Sequence, residues 1–116
     1  MILVDTSVWV EHLRSGAIGL EPLLADGEVV CHPFIVGELA CGNLKNRREI
    51  LSLLQDLPMA LRAEDREVNQ FIEDHKLMGK GLGYIDIHLI MAALLTRIPL
   101  WSFDKRLHEM ASKILP

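Results

Sequence analysis

Four acidic residues interrupt or directly follow apolar stretches of the 116-residue chain: Asp5, Glu38, Asp86 and Asp104. Acidic side chains are seldom buried unless they are paired or bind a metal ion. Carboxylates that converge repel one another, so a protein keeps them together only when a cation or a proton offsets the repulsion. Oxygen ligands without a cluster of Cys or His suit hard cations such as Mg²⁺ or Mn²⁺. Such an ion can polarise a phosphodiester and activate a water molecule for attack.

Each of the four acids also has a purely structural interpretation. Asp5 and Asp104 could cap the helices that follow them, since Asp is a favoured N-cap residue. Asp86 could interact with the helix dipole from a first turn, and Glu38 could pair with an arginine. The sequence leaves both interpretations open for each residue, whereas the set of four favours a metal site.

The elements expected around these acids alternate short apolar strands with helices. Strands are predicted at residues 2–4, 29–31, 58–61 and 99–103, with helices at 6–16, 20–25, 33–41, 46–54, from 64 onward, 85–96 and 105–114. This alternation is typical of a three-layer α/β/α fold, whose short and mainly parallel sheet of four or five strands is flanked by helices. Ligands of such sheets bind beyond the carboxyl ends of the strands, which is where Asp5 and Asp104 fall.

Composition excludes several classes of protein. Half of the residues are hydrophobic and the net charge is -4, which argues against non-specific duplex binding through Lys and Arg. Cys31 and Cys41 lie in apolar stretches and are predicted to be buried, reduced thiols, as free cysteines usually are. A disulfide between them is the alternative, and the absence of a CxxC spacing excludes a metal or redox motif of that type. The longest apolar run, residues 89–95, is far shorter than a membrane span, and the start does not resemble a signal peptide. We therefore expect a cytoplasmic protein.

The histidines and basic residues give weaker signals. The five histidines, at positions 12, 32, 75, 88 and 108, show no metal-ligand spacing, so we expect them in the core or on the surface. Two basic clusters, residues 45–48 and 105–106, are either solvated helix charges or phosphate contacts beside the acids. Trp9 and Trp101 are expected to pack in or near the core.

Four sequence blocks resemble those of the PIN-domain family, namely DTSVW, PFIVGELACG, YIDIHLIMAALL and LWSFDKRL. The resemblance runs from residue 1 to about residue 107 and is greatest to the VapC-type toxins of type II toxin–antitoxin systems. It implies a single PIN-like nuclease domain over residues 1–116. By match to the family's motifs, the metal site and catalytic residues would be Asp5, Glu38, Asp86 and Asp104, supported by the hydroxyls of Thr6, Ser7 and Ser102.

The resemblance also implies an activity. Such proteins are Mg²⁺- or Mn²⁺-dependent endoribonucleases that often cut tRNA or ribosomal RNA, form homodimers and are silenced by a cognate antitoxin. A metal-activated water, rather than a side chain, would be the nucleophile. Two alternatives stay open: an inactive PIN fold that acts as a binding module, and a PIN-type nuclease that acts on DNA, since no motif reads the 2′-hydroxyl. A phospho-signalling receiver domain is disfavoured, because no adjacent acidic pair follows the first strand.

Overall fold

The computed structural model describes all 116 residues, and its sheet contains three parallel strands in the order β2-β1-β3. The strands are β1 (Ile2–Val4), β2 (Val29–Val30) and β3 (Leu100–Trp101). Leu3 of the central strand pairs with Val30 on one side and with Leu100 on the other. Parallel neighbours need crossover connections, which the helices supply. The carboxyl ends of all three strands therefore meet at one edge of the sheet, and Asp5 follows the central one.

Seven helices surround this sheet: α1 (Thr6–Ser15), α2 (Leu20–Ala25), α3 (Pro33–Ala40), α4 (Arg47–Gln55), α5 (Asp65–His75), α6 (Tyr84–Thr96) and α7 (Lys105–Ile114). Their ends follow local sequence chemistry. Gly16 ends α1 in the left-handed conformation, which glycine adopts without a steric penalty. Pro33 occupies the first turn of α3, where its missing N–H costs nothing. The imidazole of the preceding His32 accepts a 3.0 Å hydrogen bond from the Phe34 amide.

Helix α6 is apolar on nearly every side because it packs into two cores. Leu89, Ala92 and Ala93 belong to the core formed with the sheet, α1 and α3. Ile87 and Ile90 belong to a second core shared with α5 and α7. A helix buried on two faces has no room for a polar stripe, which explains the apolar sequence of α6.

The α/β class is confirmed, but the sheet has three strands instead of the four or five predicted. Residues 58–61 form no strand and make only a single bridge between Met59 and Cys31. The Cys31 amide donates to the Pro58 carbonyl, and the Ala60 amide donates to the Cys31 carbonyl, each at 2.8 Å. Pro58 has no N–H to extend this pairing. The strand predicted at 99–103 is also shorter, because the backbone beyond Trp101 bonds to side chains instead.

Both cysteines are free thiols, as predicted, but only Cys31 is buried. Cys41 is exposed, because it follows the last turn of α3 where the chain leaves the core. Its predicted burial is therefore wrong. No helix combines the length and apolar character needed to cross a membrane.

Candidate functional site at the carboxyl edge of the sheet

Asp5 lies at the end of the central strand and is the only one of the four acids that is buried, with 5% of its surface exposed. Its Oδ2 atom accepts hydrogen bonds from the Ser7 hydroxyl at 2.7 Å and from the Ser102 hydroxyl at 2.8 Å. It also accepts the Ser7 amide at 3.4 Å, as the N-cap of α1. Its Oδ1 atom accepts none of these bonds. The carboxylate is thus fixed in orientation with one oxygen left available.

The hydroxyls of Ser7 and Ser102 connect the start of α1 to the segment after β3. The Ser7 hydroxyl accepts the Phe103 amide, and the Ser102 hydroxyl accepts the Asp104 amide, each at 3.0 Å. The two hydroxyl oxygens are 3.4 Å apart. Each hydroxyl therefore accepts a backbone N–H while it donates to Asp5, and this fixes the direction of both donors.

Glu38 projects from α3 toward the start of α1. The Thr6 hydroxyl donates a 2.7 Å hydrogen bond to Glu38 Oε1, and no arginine pairs with this carboxylate. The structural interpretation of Glu38 as half of an ion pair is therefore wrong. The residue is exposed, which also departs from the burial expected for an acid within an apolar segment. It lies on the solvent side of α3, near its C-terminal end.

Asp86 and Asp104 both stand at helix starts. Asp86 Oδ2 accepts the Gly83 amide at 3.1 Å before the first turn of α6. Asp104 Oδ1 accepts the Leu107 amide at 3.0 Å, so Asp104 caps α7. Asp86 is half-buried and Asp104 is exposed. The capping interpretation of Asp5 and Asp104 is thus correct, but it engages a single oxygen of each.

All four acids share one property. In each carboxylate, one oxygen accepts hydrogen bonds from the protein and the other accepts none. The unengaged atoms are Asp5 Oδ1, Glu38 Oε2, Asp86 Oδ1 and Asp104 Oδ2. Structural and ligand-binding roles are therefore compatible in the same side chain.

The electrostatics link the four acids to one another. Partial burial of the carboxyl, followed by the negative charges of Asp5 and Asp86, raises the pKa of Glu38, against the Thr6 hydrogen bond. Partial burial, followed by the charges of Asp104 and Asp5, raises the pKa of Asp86, against the Gly83 hydrogen bond. The charged neighbours acting on both groups are acids. No basic side chain is among the charges that act on Glu38 and Asp86, and a bound cation relieves repulsion of this kind.

The four carboxylates have the ligand chemistry that a hard divalent cation prefers, but they do not yet surround a common point. Four unengaged carboxylate oxygens and no Cys or His ligand suit Mg²⁺ or Mn²⁺. However, no three acidic, histidine or cysteine side chains converge closely enough to enclose an ion. Mg²⁺ commonly binds through one or two carboxylates and retains several water molecules. Glu38 and Asp104 are exposed and Asp86 is half-buried, so solvent reaches all three carboxylates.

The structure also shows features that sequence reasoning missed. Arg47 donates to the carbonyls of Gly42 and Ala40 at the end of α3, so its guanidinium is used within the protein. Arg106 packs against Gly81, whose φ of +79° is strained for any other residue. The glycines of this loop gave a signal for a turn, but no sequence pattern pairs Gly81 with Arg106.

Nearly the whole chain is similar to known proteins. Residues 2–113, which include the positions of all four acids, match the family model of the PIN domain. The chain is 44% identical over 108 residues to the protein called Ribonuclease VapC32 in two strains of Mycobacterium tuberculosis, CDC 1551 / Oshkosh and ATCC 25618 / H37Rv. The aligned region covers 92% of this chain and 87% of each relative.

Proposed function

This chain belongs to the PIN-domain family, and from that premise we propose that it is a metal-dependent endoribonuclease, the toxin of a toxin–antitoxin pair. One observation carries the proposal. Four carboxylates lie beyond the ends of β1 and β3 and at the neighbouring helices, each with one oxygen unengaged, and the charged neighbours that act on Glu38 and Asp86 are other acids of the set. Such an arrangement costs electrostatic energy that only a ligand of opposite charge recovers.

The proposed roles follow from the contacts of each acid. Asp5, fixed by two hydroxyls, and Asp86 are the primary metal ligands. Glu38 and Asp104, which are more exposed, complete the site directly or through water. Thr6 would orient Glu38, and Ser7 and Ser102 would orient Asp5, each by a hydrogen bond to one carboxylate oxygen. When bound, Mg²⁺ or Mn²⁺ supplies charge stabilisation at the phosphodiester and lowers the pKa of an attacking water.

The substrate is proposed to be RNA. Glu38 and Asp104 are exposed, so the acids form an open surface that a long polymer can cross rather than a closed pocket for a small molecule. The 44% identical relatives carry the name ribonuclease, which supports RNA over DNA. Transfer RNA and ribosomal RNA are the substrates that we would test first.

The proposal extends to partners and location. As a toxin, the protein would act in the cytoplasm, form a homodimer and be silenced by a cognate antitoxin protein. Growth arrest on expression, relieved by co-expression of that antitoxin, would support this part of the proposal. Arrest that persists in a variant without nuclease activity would contradict it.

The decisive experiment is cleavage of total tRNA and ribosomal RNA by the purified protein with Mg²⁺, with Mn²⁺ and with EDTA. Asp5→Asn is the test variant, because Asn keeps the shape and one oxygen acceptor. Asp56→Asn, at the exposed end of α4, is the matched control. We expect cutting at discrete positions that requires both metal and Asp5 and survives in the control.

Other outcomes of this cleavage experiment would contradict the proposed site or favour an alternative function. Full activity of Asp5→Asn, with its folding verified by circular dichroism, would overturn the proposed site. Cleavage of DNA but not RNA would favour the DNA nuclease. Absence of both cleavage and metal binding would favour an inactive binding module.

A further inference from the structure

Arg62 presents an exposed guanidinium that no acid of the protein engages. Its guanidinium carbon lies 4.6 Å from the centre of the Phe34 ring. No carboxylate or carbonyl accepts a hydrogen bond from it, unlike Arg14, which pairs with Glu11, or Arg66, which pairs with Glu64. Stacking on an aromatic face orients a guanidinium without using its N–H donors. Arg62 is therefore positioned and still able to bind an anion.

The core fixes the ring that supports Arg62. Phe34 packs edge-on against the His88 ring, with centroids 4.8 Å apart, and lies 5.1 Å from the His32 ring. Both imidazoles are fully buried. The face of Phe34 that carries Arg62 is consequently as rigid as the core beneath it, and little conformational freedom is lost when the guanidinium binds a ligand.

Asp65, an acid that lies close to the His88 ring, already has other partners. Asp65 Oδ1 accepts a 3.0 Å hydrogen bond from the Tyr84 hydroxyl and lies 3.5 Å from His88 Nε2. Tyr84 also packs edge-on against His88, at 4.8 Å. These contacts hold Asp65 toward α6 and leave Arg62 without a carboxylate.

The position of Arg62 relates it to the acidic site. Phe34 and Glu38 stand one turn apart on the same face of α3, a rise of about 6 Å. Yet the charged groups that act on the Glu38 and Asp86 carboxyls are acids. The guanidinium thus lies over a ring that stands one helical turn from Glu38, and it is absent from the charges that act on the Glu38 and Asp86 carboxyls.

We propose that Arg62 binds a phosphate of the RNA substrate adjacent to the scissile one and positions the strand across the acids. This inference rests on the proposed function of the acidic site. A guanidinium offers two parallel N–H donors to a phosphate, and here Phe34 presets their direction. In a chain of net charge -4, such a contact supplies local attraction that the overall charge does not.

The test measures RNA binding separately from cleavage. In the Asp5→Asn background, which keeps RNA uncut, the affinity for a single-stranded RNA substrate is determined at several salt concentrations. We expect Arg62→Gln to raise Kd about tenfold. We also expect it to reduce the slope of log K against log salt by about 0.7, the loss of one phosphate contact. In the active enzyme, KM should rise while kcat changes little.

Two further variants control for charge and for stacking. Arg97→Gln removes the same charge at the other end of α6, about 16 Å from Asp86 along the helix, and should leave Kd and the salt slope unchanged. Arg62→Lys keeps the charge but loses the planar fork, so it should retain most of the slope with an intermediate Kd. Phe34→Leu should weaken binding in the direction of Arg62→Gln.

The outcomes separate this inference from the proposed function. An unchanged Kd and slope in Arg62→Gln, with an unchanged melting temperature, would overturn the role of Arg62. Weaker binding with an unchanged salt slope would indicate that Arg62 contacts a base or supports packing. That result would also overturn the proposed phosphate contact. Cleavage by Asp5→Asn would overturn the acidic site, and the binding comparison would then be made with EDTA in place of the metal.

Discussion

The Ser102 hydroxyl donates a 2.8 Å hydrogen bond to Asp5 Oδ2 across 97 positions of sequence. The Ser102 hydroxyl oxygen in turn accepts the Asp104 amide at 3.0 Å. One serine, 6% exposed, therefore connects the acid after β1 to the acid after β3. The relative placement of these two acids depends on a side chain that need not contact the substrate.

Ser102→Ala should lower kcat/KM by about tenfold to a hundredfold, the usual effect of removing a group that orients a metal ligand. The fold should survive, because only one small hydroxyl is lost. Ser102→Thr keeps the hydroxyl and should restore most of the activity. Single-turnover cleavage in Mg²⁺ measures the effect, and an alanine variant as active as the threonine variant would contradict this role.

Asp86→Asn should stabilise the metal-free protein while it inactivates the enzyme. Burial and neighbouring acids raise the pKa of Asp86, so its ionised form at neutral pH weakens the native state relative to the unfolded chain. Asn removes the charge and can still accept the Gly83 amide. We expect a gain of about 0.5 kcal/mol for this partly exposed group, or about 2 °C in melting temperature in EDTA.

Addition of Mn²⁺ should reverse this order, because wild type gains stability by binding the ion through Asp86 and the variant gains less. A melting temperature of Asp86→Asn that is lower in EDTA, or an equal response of both proteins to Mn²⁺, would show that Asp86 is a structural residue only.

Metal affinity should fall on acidification at a pH above that expected of ordinary carboxyls. Ligation requires ionised acids, and the pKa values of Glu38 and Asp86 are raised by partial burial first and by neighbouring acids second. Removing a negative neighbour favours ionisation, so Asp104→Asn should lower the pKa of Asp86. Carbon NMR titration of the metal-free protein reports this directly. An unaltered Asp86 titration in that variant would separate Asp104 from the cluster.

His32 should make the fold sensitive to acid. Burial, then the nearby His88 and Arg62, lowers the pKa of His32 to about 4, so the ring is neutral in the native state. The unfolded chain takes up this proton at about pH 6.5. The stability is therefore present above about pH 6.5 and is lost as pH falls toward 4, by on the order of 3 kcal/mol.

His32→Asn tests this, because Asn can still cap α3 by accepting the Phe34 amide. The variant should show a shallower fall in the free energy of unfolding between pH 6.5 and 4 in urea titrations, whatever its absolute stability. The slope that remains would report His88, whose pKa burial also lowers. A slope identical to wild type would assign the acid sensitivity to other groups.

Local sequence chemistry was sufficient for much of the fold. Residues 20–25 were predicted as α2 with the bounds observed, because Asp26 and Gly27 end the helix locally. Residues 58–61 were wrongly predicted as a strand, because their apolar pattern carries no information about partners. Only the tertiary structure shows that the backbone pairing of this segment is limited to Cys31.

The sequence likewise predicts some features of the candidate site and not others. The identities of Asp5 and Asp104 follow from strand ends and parallel topology, since both properties can be read along the chain. The exposure of Glu38 could not be predicted, because helical spacing places it on one face without saying what covers that face. No sequence pattern marks Arg62 as a binding residue. Its orientation depends on the Phe34 ring beneath it, 28 positions earlier, and its availability depends on the absence of a competing acid.

The central place of β1 in the sheet has a consequence for biosynthesis. β1 is the first strand made, yet its partner β3 and the caps at Ser102 and Asp104 lie more than 95 positions later. Contacts of such separation form only after most of the chain has been synthesised and its loop-closure entropy overcome. A nascent chain on the ribosome therefore carries Asp5 without the residues that orient it. The site around Asp5 is therefore not assembled until the segment that carries Ser102 and Asp104 has been made.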